Sequence, residues 1–166
     1  MIRVLEIGLF SMWVYGTLNW YTFGMEKSFS QLIAVNKEGK LLFQHRTSDA
    51  KRNPNKWDLF GGGMENGETP EEALKRELVE ELELPINNFK FYKMNTLIED
   101  GVTKNRYYFL ADINNSKEEL KGKQHEGQNL DFFLPAEIKN LDLVPHHKEI
   151  IDGFIRELES GSNIVH

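Results

Sequence analysis

The stretch from Gly61 to Leu84, GGGMENGETPEEALKRELVEELEL, decides the fold of this chain. From Glu68 onward it sets seven carboxylates (Glu68, Glu71, Glu72, Glu77, Glu80, Glu81 and Glu83) against only two cations, Lys75 and Arg76. Thr69 is a good N-cap, Pro70 suits the first helical position, and Glu72 completes a capping box. Pro85 cannot continue the helix and biases Leu84 away from helical angles, so the spacing predicts a helix over 70–83. Leu74, Leu78 and Leu82 recur every fourth residue as a buried stripe. Glu77, Glu80 and Glu81, three and four residues apart, converge on another face. Like charges at that spacing repel by roughly 0.2–0.5 kcal/mol per pair. A helix serving only as structure has no use for that repulsion, although a charge run is ordinarily just a solvated face. Clustered carboxylate oxygens suit hard divalent cations. Gly61, Gly62 and Gly63 just before the helix allow close backbone approach to a ligand.

The spacing of these residues resembles the signature of the Nudix hydrolases. Gly62, Glu68, Arg76, Glu77, Leu78, Glu80, Glu81 and Leu84 fall on that signature in register. One position departs: Glu83 stands where the family has a second glycine, which questions the turn after the helix and not the metal chemistry. The resemblance implies an α/β/α sandwich with a mixed sheet between helices. It further implies that Glu77, Glu80 and Glu81 hold Mg²⁺, with Mn²⁺ as a substitute and the carbonyl of Gly61 as a further ligand. Arg76 is expected to orient neighbouring carboxylates, with Glu68 supporting it. Relatives supply another acidic residue from a downstream loop, and Glu126, beside Gly127, is the candidate. The expected catalytic set is therefore Glu77, Glu80 and Glu126.

Composition narrows the function. The 166 residues suit one ordinary domain. A formal net charge of -6 argues against sequence-independent binding to duplex nucleic acid. It is compatible with a small anionic substrate bridged to the protein by metal ions. The absence of cysteine excludes disulfides, thiolate zinc sites and cysteine nucleophiles, and with them the isomerase branch of the family, and makes the cytoplasm the default compartment.

Residues 7–24 carry no charge and are rich in aromatics, including Trp13 and Trp20. We read residues 1–24 as an extension outside the fold, in preference to a membrane anchor, residues 25–160 as the domain, and 161–166 as a tail.

Along the domain, strands are expected over 28–35, 40–44, 88–98, 105–113 and 130–134, with a short apolar segment at 57–60. Residues 114–128 read as a charged loop, and 146–158 as an amphipathic helix whose apolar positions are Ile150, Ile151, Phe154 and Leu158. Strands on both sides of a central helix, with a helix at the end, suggest a mixed sheet covered on two faces. Arg46, Trp57 and Tyr107 are candidates for substrate contacts, while His125, His146 and His147 read as surface residues. The expected activity is metal-dependent cleavage of a diphosphate bond in a small nucleotide, a nucleoside triphosphate giving monophosphate and pyrophosphate. Alternatives are a nucleotide-sugar hydrolase and a non-catalytic nucleotide sensor, and a homodimer is compatible with the resemblance.

Overall fold

The computed structural model describes residues 26–161. Its hub is β1 (Glu26–Asn36), a strand whose residues 30–35 are buried without interruption. Such a run marks a strand covered on both faces. β1 pairs in parallel with β6 (Val102–Ile113), from Glu26 opposite Thr103 to Asn36 opposite Ile113. Antiparallel to β1 lie β4 (Phe60–Gly63), with Gln31 opposite Gly61, and β2 (Leu41–His45), with Val35 opposite Leu41. β2 in turn pairs with β3 (Trp57–Asp58) and β7 (Asn129–Phe133), and β5 (Lys90–Glu99) forms a hairpin with β6. That hairpin turns through Asp100 and Gly101, both in the left-handed region (φ 55° and 73°), as a two-residue turn matched to strand twist requires.

Alternation along the strands divides the core into two layers. On one face Leu32, Ala34, Phe109 and Ala111 meet Leu74, Leu78 and Leu82 of α1 (Pro70–Leu82). On the other, Ile33, Val35, Phe43 and Tyr108 meet Ile150, Ile151, Phe154 and Ile155 of α4 (Pro145–Glu159). Each fully buried leucine of α1 contributes roughly 1.5–3 kcal/mol. The result is the expected sandwich of a mixed sheet between helices. The buried Ser30 Oγ donates to the Pro70 carbonyl at 2.7 Å and fastens the start of α1 to the central strand.

Three local outcomes differ from the sequence reading. Residues 114–128 contain a short helix, α2 (Lys117–Lys121), begun by a Ser116/Glu119 capping box of the same kind as Thr69/Glu72. A further turn, α3 (Pro135–Ile138), follows β7. Helix α1 ends at Leu82, because Glu83 itself adopts the left-handed conformation (φ 48°, ψ 35°) that glycine most often takes at a helix end. The Glu83 and Leu84 amides then donate to the carbonyls of Val79 (3.0 Å) and Leu78 (3.1 Å), so the turn closes without a glycine. The extension 1–24, and the tail beyond Gly161, lie outside the described residues. Among the described residues no helix is long and apolar enough to cross a membrane.

Candidate active site

Arg76 organises the charged face of α1. Its Nε and Nη2 donate to the two oxygens of Glu68 at 2.7 and 2.9 Å, its Nη1 to Glu77 at 2.8 Å and Glu80 at 3.3 Å, and its Nη2 to the Gly63 carbonyl at 2.8 Å. A planar guanidinium can make this bidentate fork with a carboxylate, and a lysine cannot. Arg76, with the Glu65 amide, pulls the Glu68 carboxyl down to about 2. The pair therefore ties the loop before α1 to the middle of the helix.

Glu77, Glu80 and Glu81 stand on the same helix in different surroundings. Glu77 is largely buried, and its carboxylate lies directly over Gly62, where a Cβ would stand 2.5 Å away. Glu81 is only 4% exposed; its Oε2 accepts from the Gly61 amide at 2.8 Å and its Oε1 from Gln44 Nε2 at 3.3 Å. Gly61 itself has φ 115° and approaches Ser30 so closely that a Cβ would meet the Ser30 carbonyl oxygen at 2.2 Å. No other residue fits there. Glu80 is the exposed member of the three.

Glu126 joins this group from the loop before β7. That loop is pinned to the end of α1, where the His125 amide donates to the Glu81 carbonyl at 2.9 Å, and to β2, where the Gln128 amide donates to the His45 carbonyl at 2.8 Å. Gly127, at φ 79°, makes the bend between them. The Glu126 and Glu81 carboxyls thereby come within hydrogen-bonding reach. Burial, that hydrogen bond and the charges of Glu126 and Glu77 push Glu81 well above the usual carboxylate range, against the pull of the Gly61 amide. Burial also raises Glu77; Arg76 opposes this, while Glu80 and Glu126 add to it.

This donor set consists of oxygens only, which suits a hard divalent ion and not a soft one. Mutually repelling carboxylates, with the nearest cation already engaged by Glu68, have the electrostatics such an ion would relieve. Among the described residues no three carboxylate or imidazole side chains form a ready-made cage. A fit to Mg²⁺, which keeps waters and takes only a few protein oxygens, does not need one.

On the opposite face of the sheet, next to Gly61–Gly63, lies a cavity of about 200 Å³. Arg46 lines it and is paired with Asp58 at 2.8 Å. Neither Trp57 nor Tyr107 does. Trp57 packs between His45 and Phe133 (ring centroids 4.6 and 4.7 Å), and Tyr107 packs against the α1-side core. The expectation of surface histidines holds for His125, which pairs with Glu83 at 2.8 Å. It fails for the other two. His147 is 1% exposed, with Nδ1 3.0 Å from Tyr108 Oη and Nε2 2.9 Å from Asp58 Oδ1. His146 stacks edge-on against His147 at the cavity wall. The reason is the start of α4: Pro145 sets both histidines in its first turn, which points back into the protein beneath β3 and β6. Gln31, Lys104 and Arg106, all buried and all on the cavity, went unnoticed in the sequence. The signal was present, since Lys104, Arg106 and Tyr108 alternate as one face of β6.

The NUDIX domain family profile matches residues 28–154, well over half of the chain. The chain belongs to the Nudix family. Proteins named nucleoside triphosphatase NudI are among its relatives. The one from Enterobacter sp. (strain 638) is 33% identical over 118 residues, 66% of this chain and 83% of that protein. The one from Escherichia coli O139:H28 is 30% identical with the same coverage. The fold is shared with a MutT protein from Methanosarcina mazei Go1, at a TM-score of 0.70 and 18% identity, covering 81% of this chain and 96% of that one. It is shared too with the NUDIX domain of Shewanella oneidensis NrtR, solved with ADP ribose, at 0.64 and 13% identity, covering 83% and 90%. The protein is thus a Nudix hydrolase that keeps every charged position of the signature and closes its helix on Glu83.

Proposed function

We propose that this Nudix hydrolase cleaves the diphosphate bond of a nucleoside triphosphate to give the monophosphate and pyrophosphate, using Mg²⁺ or, in its place, Mn²⁺. The observation that carries the reading is the convergence of Glu77, Glu81 and Glu126 beside Gly61 and Gly62, with Arg76 already neutralised by Glu68. Likeness to the proteins named nucleoside triphosphatase supports the substrate class. Glu77, Glu80 and Glu81, with the Gly61 carbonyl, would hold the ion. When bound, it offsets phosphate charge and lowers the pKa of water.

The chain's own groups supply the rest. Arg76 fixes the rotamers of Glu77 and Glu80, so their oxygens need no reorganisation when the phosphates arrive. The Gly61 amide holds Glu81 from below. Glu126, the carboxylate delivered by a loop and not by the helix, accepts the proton of the water whose oxygen attacks phosphorus as the phosphorus–oxygen bond to the leaving group breaks.

The test is phosphate and pyrophosphate release over a panel of nucleoside triphosphates, nucleoside diphosphates and nucleotide sugars, with Mg²⁺ and with EDTA. Turnover of triphosphates that stops in EDTA and in Glu80→Gln is the expected result. Activity indifferent to EDTA would overturn the reading, and turnover confined to nucleotide sugars would replace the substrate class.

A further inference from the structure

The cavity behind the glycines has a chemical character of its own. Its floor is built from three neighbouring strands: Gly61 and Gly63 of β4, Phe29 and Gln31 of β1, and Lys104 and Arg106 of β6. Directly paired residues share a face of the sheet. Gly63 adds no side chain, and a Cβ there would meet nothing within 4 Å, so the floor is open at that strand. At about 200 Å³ the space is below the roughly 300–1,000 Å³ of pockets that enclose whole drug-sized ligands. It suits one ring system with its substituents lying outside.

Two of its polar groups are unusual. Gln31 and Arg106 are 6% and 3% exposed, and Gln31 Oε1 and Arg106 Nη1 have no hydrogen-bond partner. Buried polar atoms are otherwise nearly always satisfied, and an orphan calls for a specific explanation. The remaining charges of the cavity are already committed. Arg106 Nη2 and Lys104 Nζ both engage Glu99, at 3.1 and 2.5 Å, and Arg46 engages Asp58. Apart from His147 Nε2, which faces Asp58 at 2.9 Å, the buried polar atoms of the cavity left without a partner are one donor and one acceptor, beside the Phe29 ring that lies 5.2 Å from the Arg106 guanidinium.

We infer that Gln31 and Arg106 read the hydrogen-bonding edge of the substrate's nucleobase. Arg106 Nη1 donates to a carbonyl oxygen or ring nitrogen, and Gln31 Oε1 accepts from the adjacent N–H or amino group. A phosphate does not answer to this arrangement, because an ionised phosphate offers acceptors only and the pocket presents Gln31 Oε1, Glu99 and Asp58 oxygens of its own. A base edge offers acceptor and donor side by side. A site with two buried polar groups awaiting partners rejects compounds that lack them, since both would stay unpaired. The inference rests on the nucleotide reading above, and adds to it that base selection occurs across the sheet from the carboxylates of α1.

The experiment uses the full chain, wild type and the variants Gln31→Leu and Arg106→Met. Binding of free uridine, cytidine, guanosine and adenosine is followed in EDTA by saturation-transfer NMR, and kcat and KM are measured with the four matching triphosphates and with inorganic tripolyphosphate. In the wild type at least one nucleoside should bind without phosphate or metal, and its addition should shift the Gln31 side-chain amide resonance. In either variant that binding should be lost, KM for the preferred triphosphate should rise at least tenfold with kcat within a few-fold, and the spread of kcat/KM across the bases should narrow at least tenfold. Tripolyphosphate turnover, where present, should not change. Wild-type selectivity and KM in both folded variants would overturn the inference and leave the hydrolase reading standing. So would nucleosides that leave the Gln31 amide unmoved in the wild type, a measurement that needs no variant to fold. A wild type that binds nucleosides through Gln31 but hydrolyses no triphosphate would instead retain the base site and overturn the substrate reading.

Discussion

The Glu77 carboxylate occupies the space over Gly62 that any side chain would need: a Cβ built on Gly62 stands 2.5 Å from its carboxyl carbon and from both of its oxygens. Glycine at 62 and glutamate at 77 are therefore one structural unit joined across fifteen residues of chain. The signature spacing between them is the length of loop and helix needed to bring the carboxylate back over the strand. Arg76 holds the same carboxylate from the other side at 2.8 Å. Glu77 is thus confined to one position by a missing side chain and by a neighbouring cation.

The first prediction follows from that confinement. Gly62→Ala should displace the flexible end of Glu77 and not the backbone, so unfolding in urea should shift by no more than about 1 kcal/mol. The activity should fall much further, about a hundredfold in kcat, since a small misplacement of a catalytic group has costs of that order. Alanine at 62 with unimpaired kcat would show that the position of the Glu77 carboxylate is irrelevant to turnover.

Glu81 supplies a second, opposite pair of effects. Burial and its acidic neighbours raise its pKa in the folded protein, so its ionised form opposes folding above the ordinary carboxylate range, and that cost diminishes as pH falls. Glu81→Gln removes the charge and keeps an acceptor for the Gly61 amide. At pH 7.5 in EDTA this variant should therefore be more stable than the wild type, by on the order of 1 kcal/mol. Mg²⁺ should raise the melting temperature of the wild type and leave the variant nearly unmoved, because ligand binding to the native state alone stabilises it. Thermal scans with and without Mg²⁺ decide the matter, and a variant less stable than wild type in EDTA would contradict it.

How much of this was legible in the sequence depends on whether the signal was local. The capping box, the leucine stripe and the carboxylate spacing of α1 are local, and each is found where it was expected. Glu126 was chosen for a glycine beside it and lies against Glu81 because Gly127 bends the loop toward the end of α1. Helix α2 was missed although Ser116 and Glu119 repeat the capping pattern of Thr69 and Glu72, because the apolar stripe that normally confirms a helix is reduced there to Leu120 alone. The alternation of Lys104 and Arg106 with Tyr108 was a local signal, but the burial of the histidines could not be read locally. Their burial is created by the docking of α4 across β6 and β3, contacts between segments some forty (Tyr108 to His147) and ninety (Asp58 to His147) residues apart. Tyr107 is a candidate for substrate contact in the sequence, but strand alternation turns it to the face opposite Arg106.

Glu83 gives a prediction about stability alone. A left-handed conformation costs an L-residue roughly 1–2 kcal/mol, and glycine escapes that cost while losing about 0.5–1 kcal/mol more chain entropy on folding. The Glu83–His125 pair is more than half exposed on both sides and so adds little. Glu83→Gly should therefore stabilise the protein by about 0.5 kcal/mol, whereas Glu83→Ala, which keeps the strain and loses the pair, should not. Urea midpoints for the two variants provide the check, and a glycine variant below wild type would show that the carboxylate matters more than the backbone.

For Glu126, substitution by Gln should lower kcat by about a hundredfold or more, the low end of general acid–base contributions, with little change in KM. Glu119 is unsuited as a control, because its carboxylate accepts from the Ser116 amide at 2.8 Å and caps α2. The exposed Glu118 on the same segment is the better comparison, and Glu118→Gln should retain wild-type turnover. Equal, negligible effects at 118 and 126 would remove Glu126 from the reaction and leave its contact with Glu81 as packing.

His146 makes stability depend on pH in a window set by its surroundings. Burial, with the charges of His147 and Arg106, pushes it down to about 3, against weaker opposing pulls from Asp58 and Glu99. Above the ordinary histidine value of about 6.5 it is neutral in both folded and unfolded chains, and contributes nothing to the difference. Between about 6.5 and 3 the unfolded chain binds a proton that the folded chain refuses, so folding stability must fall as pH falls. The limiting slope for one such group is about 1.4 kcal/mol per pH unit. Glu77 and Glu81, whose raised pKa values favour the fold at lower pH, act in the opposite sense, so the raw profile of the wild type mixes the two. The difference between wild type and His146→Asn isolates the histidine. Urea midpoints at pH 7.5 and pH 5.5 should show the wild type losing about 1 kcal/mol relative to the variant. A constant difference between the two proteins across that range would mean that His146 takes up its proton in the folded state.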